Sequence, residues 1–313
     1  MTGGSRHFCD RLAALVEERR SRVVLGLDPD PGSLWPEALE RFGGGPDRPR
    51  LREGERFARA NTAEAVIEHC RAAIVSAGPA CVAVKPQLAC FERLGAPGWE
   101  ALEQTVAIAR DHGLLVIADG KRGDVPVTAR AYAQALVGQT PGPFGPVAGL
   151  GVDAFTANPL LGRDSLEPLV EAAAAAGAGC LVLVRTSNQG AAELQDQGDP
   201  PLHERLARVA DELGAGRTGE CGLSLVGAVT GATRPALLAR LRELMPRAVF
   251  LLPGVGAQGG RVDELGAAFA PHPAAGLVTA SRSIVDAHVD RGGEPAPAAA
   301  AAAEELRAAA WRI

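Results

Sequence analysis

The feature that most constrains the fold is an alternation of short apolar runs with amphipathic or alanine-rich stretches. Eight of the runs are continuous enough in hydrophobicity to be strands of a parallel sheet that is covered on both faces. They lie at 23–28, 81–86, 114–120, 152–158, 180–186, 223–229, 248–254 and 276–281. The intervening stretches predict helices at 63–76, 98–112, 165–176, 202–213, 236–245 and 262–268. This alternation predicts one α/β domain, a single (β/α)8 TIM barrel over residues 1–313.

A doubly wound parallel sheet is the alternative arrangement for the same alternation. It would be expected to carry a G-x-G-x-x-G turn directly after the first strand, where this chain has LGLDPD at 25–30. The glycine-rich turn GVGAQGG, at 254–260, follows the seventh predicted strand instead. A barrel commonly binds phosphate after strands seven and eight, so the position of this turn favours the barrel.

Two segments fall outside the alternation. Residues 29–61 form a polar excursion between the first strand and its helix, which predicts a surface insertion. Residues at about 296–313 begin as an alanine-rich stretch of low complexity and end with a helical pattern. We expect this helical tail to pack on the outside of the barrel, and neither segment is assigned any chemistry.

Composition excludes several classes of protein. The net charge is -5 with 22% charged residues, so we expect no nucleic-acid partner and no polybasic membrane surface. No apolar run reaches the roughly 18 residues of a membrane span, and residues 1–20 lack the apolar core of a signal peptide. The six cysteines form no C-x-x-C pair, and Cys81 and Cys180 lie in apolar runs where an inert buried thiol is expected. These observations predict a cytoplasmic protein.

Lysine is almost absent from the chain. Lysine and arginine together number 32, yet only Lys85 and Lys121 are lysines. Arginine stays protonated in proteins, whereas a site can lower the pKa of a lysine until it gives and takes a proton. The two lysines therefore indicate positions where arginine would not serve.

Polar residues at the carboxyl ends of barrel strands are the candidates for catalysis, because that rim carries the active site. The first three strand ends supply Asp28, Lys85, Asp119, Lys121 and Asp124. Alternating acids and bases keep one another charged in a low-dielectric pocket, by about one to several kcal/mol per close pair. A structural ion-pair network is the alternative, but the position at the rim and the scarcity of lysine favour catalysis.

A phosphate site is predicted at the ends of the last two strands. Free backbone N–H groups of the glycine-rich turn at 254–260 would point at the anion, and Arg282 would bind its oxygens. No histidine ends a strand, no His/Cys cluster suggests zinc, and a lysine between carboxylates would compete with Mg²⁺. The residues thus predict a cofactor-free acid–base or carbanion enzyme that acts on a phosphorylated small molecule.

The segment ADGKRGD, at 118–124, resembles the D-x-K-x-x-D signature of the orotidine 5′-phosphate decarboxylase family in its longer bacterial (type 2) form. Further matching segments follow in the family's order and spacing. They are LGLDPD (25–30), VAVKPQLACFERLG (82–95), DAFTANPLLGRDSLEPL (153–169), LVRTSNQGAAELQD (183–196), VGAVTGAT (226–233), LLPGVGAQGG (251–260) and SRSI (281–284). The resemblance implies decarboxylation of orotidine 5′-monophosphate to UMP, the last step of de novo pyrimidine synthesis, with neither metal nor organic cofactor.

The resemblance also implies roles for the residues that match the signature. Lys121 would donate a proton to C6 of the pyrimidine, Asp119 would crowd the substrate carboxylate, and Lys85 would complete the charged array. Asp124 and Thr128 would reach into the active site of a second subunit, so a homodimer with shared sites is expected.

The remaining substrate contacts are implied in the same way. Asp28 with Lys85 would hold the ribose hydroxyls, Ser187 would meet the pyrimidine, and Gln258 and Arg282 would hold the 5′-phosphate. The predicted substrate-binding set is completed by Gly256, Gly259, Ser281 and Asn158.

The chain departs from the family pattern at two positions, and two rival functions stand beside the resemblance. Gly120 replaces the usual alanine, which adds backbone freedom between the catalytic residues, and Val125 stands where isoleucine is common. One rival is a Mg²⁺-dependent sugar-phosphate enzyme such as hexulose phosphate synthase, which has a carboxylate where this chain has Lys85. The other is a non-catalytic phosphate-binding barrel, which would not need the lysine–acid array.

Overall fold

The computed structural model describes residues 7–40, 55–256 and 258–313. Eight parallel strands close into a barrel in which each strand pairs with the next and the last pairs with the first. The strands are β1 (Val23–Leu27), β2 (Ala83–Pro86), β3 (Leu115–Arg122), β4 (Ala154–Ala157), β5 (Gly179–Arg185), β6 (Ser224–Thr230), β7 (Ala248–Leu252) and β8 (Gly276–Ala280). The TIM barrel predicted from the alternation is confirmed, and the doubly wound sheet is excluded.

Helices cover the outside of the barrel and one of them precedes it. They are α1 (Phe8–Arg19), α2 (Pro36–Glu40), α3 (Glu55–Ala77), α4 (Leu88–Glu92), α5 (Ala96–Asp111), α6 (Pro126–Leu136), α7 (Arg163–Ala176), α8 (Ala191–Leu194), α9 (Leu202–Gly214), α10 (Leu238–Leu244), α11 (Arg282–Val285), α12 (Ala287–Arg291) and α13 (Pro295–Trp311). Short 3₁₀ turns lie at Gly78–Ala80, Pro235–Leu237, Val262–Glu264, Gly266–Phe269 and Pro273–Ala275. An antiparallel pair, Gln139–Thr140 with Val147–Ala148, precedes β4. No described helix is long and apolar enough to cross a membrane.

The core has two layers, which follow from the alternation of side chains along each strand. One set of buried side chains fills the barrel, and Phe8 and Leu12 of α1 pack against it. The other set lies between the strands and the outer helices. Cys81 and Cys180 are fully buried, as predicted, and burial raises the pKa of each thiol to about 12, so both are inert.

Several local expectations differ from the structure. The helix predicted at 262–268 is wrong, because this stretch forms two 3₁₀ turns, Val262–Glu264 and Gly266–Phe269. Gly266 lies inside this stretch, and glycine disfavours the interior of an α-helix. Helix α3 begins at Glu55, inside the 29–61 segment, of which residues 41–54 lie outside the described part of the chain. Helix α13 begins at Pro295, so the alanine-rich stretch is helical throughout, and it packs against α3 and β1.

Candidate active site

A cavity of about 410 Å³ opens at the carboxyl end of the barrel, and the ends of all eight strands contribute to its lining. Its volume lies within the range of small-molecule sites. Its charged members are Asp28, Lys85, Asp119, Lys121 and Arg282. Its uncharged polar members are Gln87, Thr156, Thr186, Ser187, Asn188, Gln258, Thr279, Ser281 and Ser283.

Asp119 is the centre of the charged part of this cavity. Lys85 Nζ donates to Asp119 Oδ2 at 2.6 Å, and Lys121 Nζ donates to Asp119 Oδ1 at 2.7 Å. The two lysines differ in their surroundings, since the Lys85 side chain is 7% exposed and that of Lys121 is 42% exposed. Lys121 is therefore the ammonium group that a molecule in the cavity can reach.

Two neutral side chains orient Asp119. The hydroxyl of Thr156 donates to Asp119 Oδ1 at 3.0 Å, and Gln87 Nε2 donates to Asp119 Oδ2 at 3.3 Å. The same Thr156 oxygen accepts the backbone N–H of Lys121 at 2.9 Å. This bond is notable because Lys121 has a φ of 48°, in the left-handed region that side chains rarely adopt. Thr156 thus supports both the carboxylate and the unusual backbone that presents Lys121.

The charges of this array are stabilised by one another. Burial acts to raise the pKa of Asp119, but the attraction of Lys85 and Lys121 and their hydrogen bonds lower it to about 2. Burial acts to lower the pKa of Lys85, but the carboxylates of Asp119 and Asp28 outweigh it and the pKa is raised. Asp119 and Lys85 therefore carry opposite charges at neutral pH, and both side chains are almost fully buried.

Arg282 provides a cation on the β8 side of the cavity. Among the described residues, no hydrogen bond or ion pair engages its guanidinium group, which leaves its donors available for an anion. Gly26 makes room for Ser281, the residue before Arg282, because a β-carbon at position 26 would collide with the Ser281 hydroxyl. Gln258 and Ser283 line the cavity on the same side.

The glycine-rich turn differs from the expected cradle. Gly254, Gly256 and Gly259 have φ values of 100°, 73° and 86°, which explains why glycine is needed there. However, the N–H groups of Gly256, Gly259 and Gly260 donate to carbonyls within the turn, at 2.8–3.0 Å. The expectation that they are free to bind the anion is wrong, because the turn uses them to close itself. Gly254, Val255 and Gln258 are the residues of the turn that line the cavity.

Eight of the predicted site residues line the cavity and five do not. The lining members are Asp28, Lys85, Asp119, Lys121, Ser187, Gln258, Ser281 and Arg282. The others are Asp124, Thr128, Asn158, Gly256 and Gly259. Asp124 accepts the N–H of Val125 at 2.7 Å, and Asn158 accepts that of Leu160 at 3.0 Å, so both side chains are used in their own loops.

Gln87 and Thr156 contact Asp119, and the sequence assigned a role to neither of them, although Thr156 was a candidate as a polar residue at the end of the fourth predicted strand. A signal was available for both. Side chains alternate between the two faces of a strand, so Gln87, two residues after Lys85, is expected on the same face as Lys85. Thr156 lies inside a predicted strand, where the same alternation places it on the barrel interior. Within the described ranges, no group of three or more His, Cys, Asp or Glu side chains is arranged to hold a metal ion.

Known proteins resemble this chain over nearly its whole length. Residues 21–294 match the family described as "Orotidine 5′-phosphate decarboxylase / HUMPS family". A Deinococcus radiodurans protein named orotidine 5′-phosphate decarboxylase is 41% identical over 303 residues, which cover 96% of this chain and 97% of that protein.

Two solved structures share the fold. The structure of Leishmania donovani OMP decarboxylase has a TM-score of 0.70 and 29% identity, over 97% of this chain and 99% of that one. The structure of Leishmania donovani UMP synthase has a TM-score of 0.70 and 30% identity. The match covers 97% of this chain and 57% of the synthase chain. The resemblance carried by ADGKRGD is confirmed, and the chain belongs to the orotidine 5′-phosphate decarboxylase / HUMPS family.

Proposed function

We propose that this chain decarboxylates orotidine 5′-monophosphate to UMP and carbon dioxide, the last step of de novo pyrimidine nucleotide synthesis. The observation that carries the proposal is the Lys85–Asp119–Lys121 array, in which two ammonium groups hold one buried carboxylate at 2.6 and 2.7 Å. The family match and the relative that is 41% identical support the same reaction.

The array suits the chemistry of this decarboxylation. When the bond between C6 and the carboxylate breaks, CO2 leaves and the electron pair stays on C6, where the ring delocalises it poorly. A fixed cation beside C6 stabilises this charge, and preorganised charge often contributes more to catalysis than any other effect. Lys121 then gives its proton to C6 and regains one from water. Asp119 stays charged and repels the substrate carboxylate, a repulsion that ends when CO2 departs.

The rest of the cavity would hold the nucleotide by its other parts. Arg282 and Gln258 would bind the 5′-phosphate, because Arg282 is a cation without a described partner. Asp28, with Lys85, would hold the ribose hydroxyls, and Ser187 would contact the pyrimidine. Binding energy from the remote phosphate would help to keep the reacting carbon beside Lys121.

The proposed reaction takes place in the cytoplasm without a metal ion or organic cofactor. Both oxygens of Asp119 already contact ammonium groups, whose charge opposes the binding of a metal ion there. Lys85 occupies the position where the Mg²⁺-dependent relatives would need a carboxylate. All six cysteines are free thiols, which fits a reducing compartment.

We also propose a homodimer in which Asp124 and Thr128 complete the site of the partner. Neither residue lines the cavity of its own chain. Beside them, the side chains of Val125 and Val127 are 53% and 81% exposed. Exposed apolar side chains that lie together are typical of surfaces that bind another protein.

The test is an assay of purified protein in EDTA. Conversion of orotidine 5′-monophosphate to UMP, followed by loss of substrate absorbance, should proceed without added metal. Lys121→Ala should lower kcat by about a thousandfold or more, because it removes both the cation and the proton. Arg240→Ala removes an exposed cation on α10, paired with Glu204 and Glu243, and should keep native activity. Full activity of Lys121→Ala, or an absolute need for Mg²⁺, would refute the proposal.

A further inference from the structure

We propose that Gln195 and Asp196 are positioning residues that hold the 186–188 segment, Thr186, Ser187 and Asn188, against the base of the bound nucleotide. The inference rests on the proposed function, which puts the pyrimidine on this side of the cavity. All three residues of the segment line the cavity, whereas Gln195 and Asp196 do not. They therefore act through their contacts with the segment and with its neighbours, and not through contact with the ligand.

Asp196 ties together three parts of the barrel rim. Arg185, the last residue of β5, donates to both of its carboxylate oxygens, from Nε at 2.8 Å and from Nη2 at 3.0 Å. His203 of α9 lies 3.2 Å from Oδ1, and Arg234, from the loop after β6, lies 3.5 Å from Oδ2. The hydrogen bonds from Arg185 are the largest cause of a lowered pKa at Asp196, so the carboxylate is charged at neutral pH.

Gln195 reaches the 186–188 segment directly. Its Oε1 accepts the backbone N–H of Thr186 at 2.8 Å, and its Nε2 donates to the Thr186 hydroxyl at 3.0 Å. That hydroxyl donates in turn to Asn188 Oδ1 at 2.7 Å. His203 holds the backbone of Gln195 in place, since its Nδ1 lies 2.9 Å from the Gln195 carbonyl oxygen. One amide side chain therefore sets both the backbone and the side chains of the segment.

The loop after β6 also contacts the segment and the residue before it. The N–H of Gly231 donates to the carbonyl of Arg185 at 2.7 Å, and the Thr233 hydroxyl donates to the carbonyl of Ser187 at 3.3 Å. The segment is thus held by contacts from two loops. Gln195 supplies the side-chain contacts to Thr186, so its loss should release Thr186 and Asn188 while the contacts from the loop after β6 remain.

The two residues differ in what their loss should do to the fold. The Arg185 side chain is 5% exposed, so removing Asp196 would leave a buried charge without its main partner, which destabilises a protein. Gln195 is uncharged and half-buried, and its substitution leaves the Arg185–Asp196 pair in place. Gln195 is therefore the residue at which positioning can be separated from stability.

The experiment compares Gln195→Met with Gln195→Glu and with native protein. Methionine keeps the length of the side chain and removes both hydrogen bonds, whereas glutamate keeps an oxygen that can accept from Thr186. Calorimetry measures the affinity for UMP and for ribose 5-phosphate, and the difference between the two reports what the base contributes to binding. We expect Gln195→Met to weaken UMP binding about tenfold, the effect of one or two hydrogen bonds, and to leave ribose 5-phosphate binding unchanged. Gln195→Glu should stay within about threefold of native affinity.

A matched control is available two residues further along the chain. Gln197 donates to the carbonyl of Ala192 at 2.9 Å and does not touch the 186–188 segment, so Gln197→Met should bind both ligands as native protein does. Equal loss for both ligands in Gln195→Met, or no loss for UMP, would overturn the positioning role alone. Failure of native protein to bind UMP would overturn the proposed function and this inference with it.

Discussion

Thr156 shows how a single neutral residue can support a charged site. Its hydroxyl donates to Asp119 and accepts the N–H of Lys121, whose backbone is left-handed. Without this acceptor, the Lys121 N–H would lose its hydrogen bond at a position that already disfavours a side chain. The glycine at position 120, just before Lys121, is explained by its surroundings, because a β-carbon there would lie 2.6 Å from Leu88 Cδ1.

Thr156→Val should lower kcat/KM about tenfold to a hundredfold. The variant keeps the shape of the side chain but removes both hydrogen bonds, and an unsatisfied N–H costs about 1–3 kcal/mol. The control is Thr230→Val on β6, because the Thr230 hydroxyl is buried without a partner among the described residues and does not line the cavity. Steady-state kinetics on both variants check this. Equal kcat/KM in the two variants would mean that the Thr156 contacts do not matter.

The sequence predicted charged residues of the site better than neutral ones. The charged residues of the array, Lys85, Asp119 and Lys121, lie at strand ends, and lysine is rare in this chain. The alternation of side chains along a strand directs all three toward one cavity. Gln87 and Thr156 occupy equivalent positions, but their side chains are common at strand ends and carry no chemical signature. The turn amides were mispredicted because backbone hydrogen bonds within a loop leave no trace in composition.

The segment after β1 contributes the buried hydrophobic residues Leu34, Trp35 and Ala38, which its polar composition did not suggest. Trp35 is 1% exposed, its indole N–H donates to the carbonyl of Val285 at 3.0 Å, and its backbone N–H donates to His69 Nδ1 at 3.1 Å. These contacts connect the segment to α3 and to α11, the helix that begins at Arg282. These few apolar residues in an otherwise polar segment show no periodicity, so burial of this kind could not be predicted.

His69 makes the stability of this region depend on pH. Burial lowers its pKa from 6.5 to about 4, with a smaller effect of His288, and its Nδ1 already accepts the Trp35 N–H. The unfolded chain therefore takes up a proton first as the pH falls, and stability is lost between about pH 6.5 and 4. The loss should amount to about 3 kcal/mol, because the pKa of His69 is about 4 in the folded protein and 6.5 in the unfolded chain.

His69→Asn should remove this loss, because the Asn amide oxygen can accept the Trp35 N–H and does not titrate. Urea unfolding at pH 7 and at pH 4 measures the free energy of unfolding of native protein, His69→Asn and His112→Asn. The exposed His112 at the end of α5 is the control, and its variant should follow native protein. The same drop in stability for His69→Asn as for native protein would contradict the role of His69.

For the whole molecule, the sequence predicts burial within the chain far better than contact between chains. The eight apolar runs predicted a parallel sheet because each must be covered on both faces, and the missing G-x-G-x-x-G turn after the first run favoured the barrel over the doubly wound sheet. A partner surface leaves only exposed apolar residues as a sign. Val127, in the first turn of α6, is 81% exposed, and Leu160 is 72% exposed. The chain segments that precede these two residues are joined by the hydrogen bond from Asn158 N to Arg122 O at 2.8 Å. The surface beside Asp124 therefore has an apolar character that a second copy could cover.

The proposed sharing of sites between subunits predicts a specific result when inactive subunits are mixed. If Asp124 serves the partner, a heterodimer of Asp124→Asn and Lys121→Ala subunits has one site with both native residues and one site with neither. Equal mixing after reversible dissociation gives about half heterodimers, so about a quarter of native activity should return.

The control is a mixture of Lys121→Ala with Asp119→Asn. Asp119 and Lys121 line the cavity of the same chain and hydrogen bond to each other at 2.7 Å, so each site of that heterodimer lacks one of them. This mixture should remain inactive, while two different affinity tags report heterodimer formation in both experiments. If Asp124 acted within its own chain, the first mixture would also stay inactive, because each site would again carry one substitution. Recovery in the first mixture only would establish that Asp124 acts across the dimer.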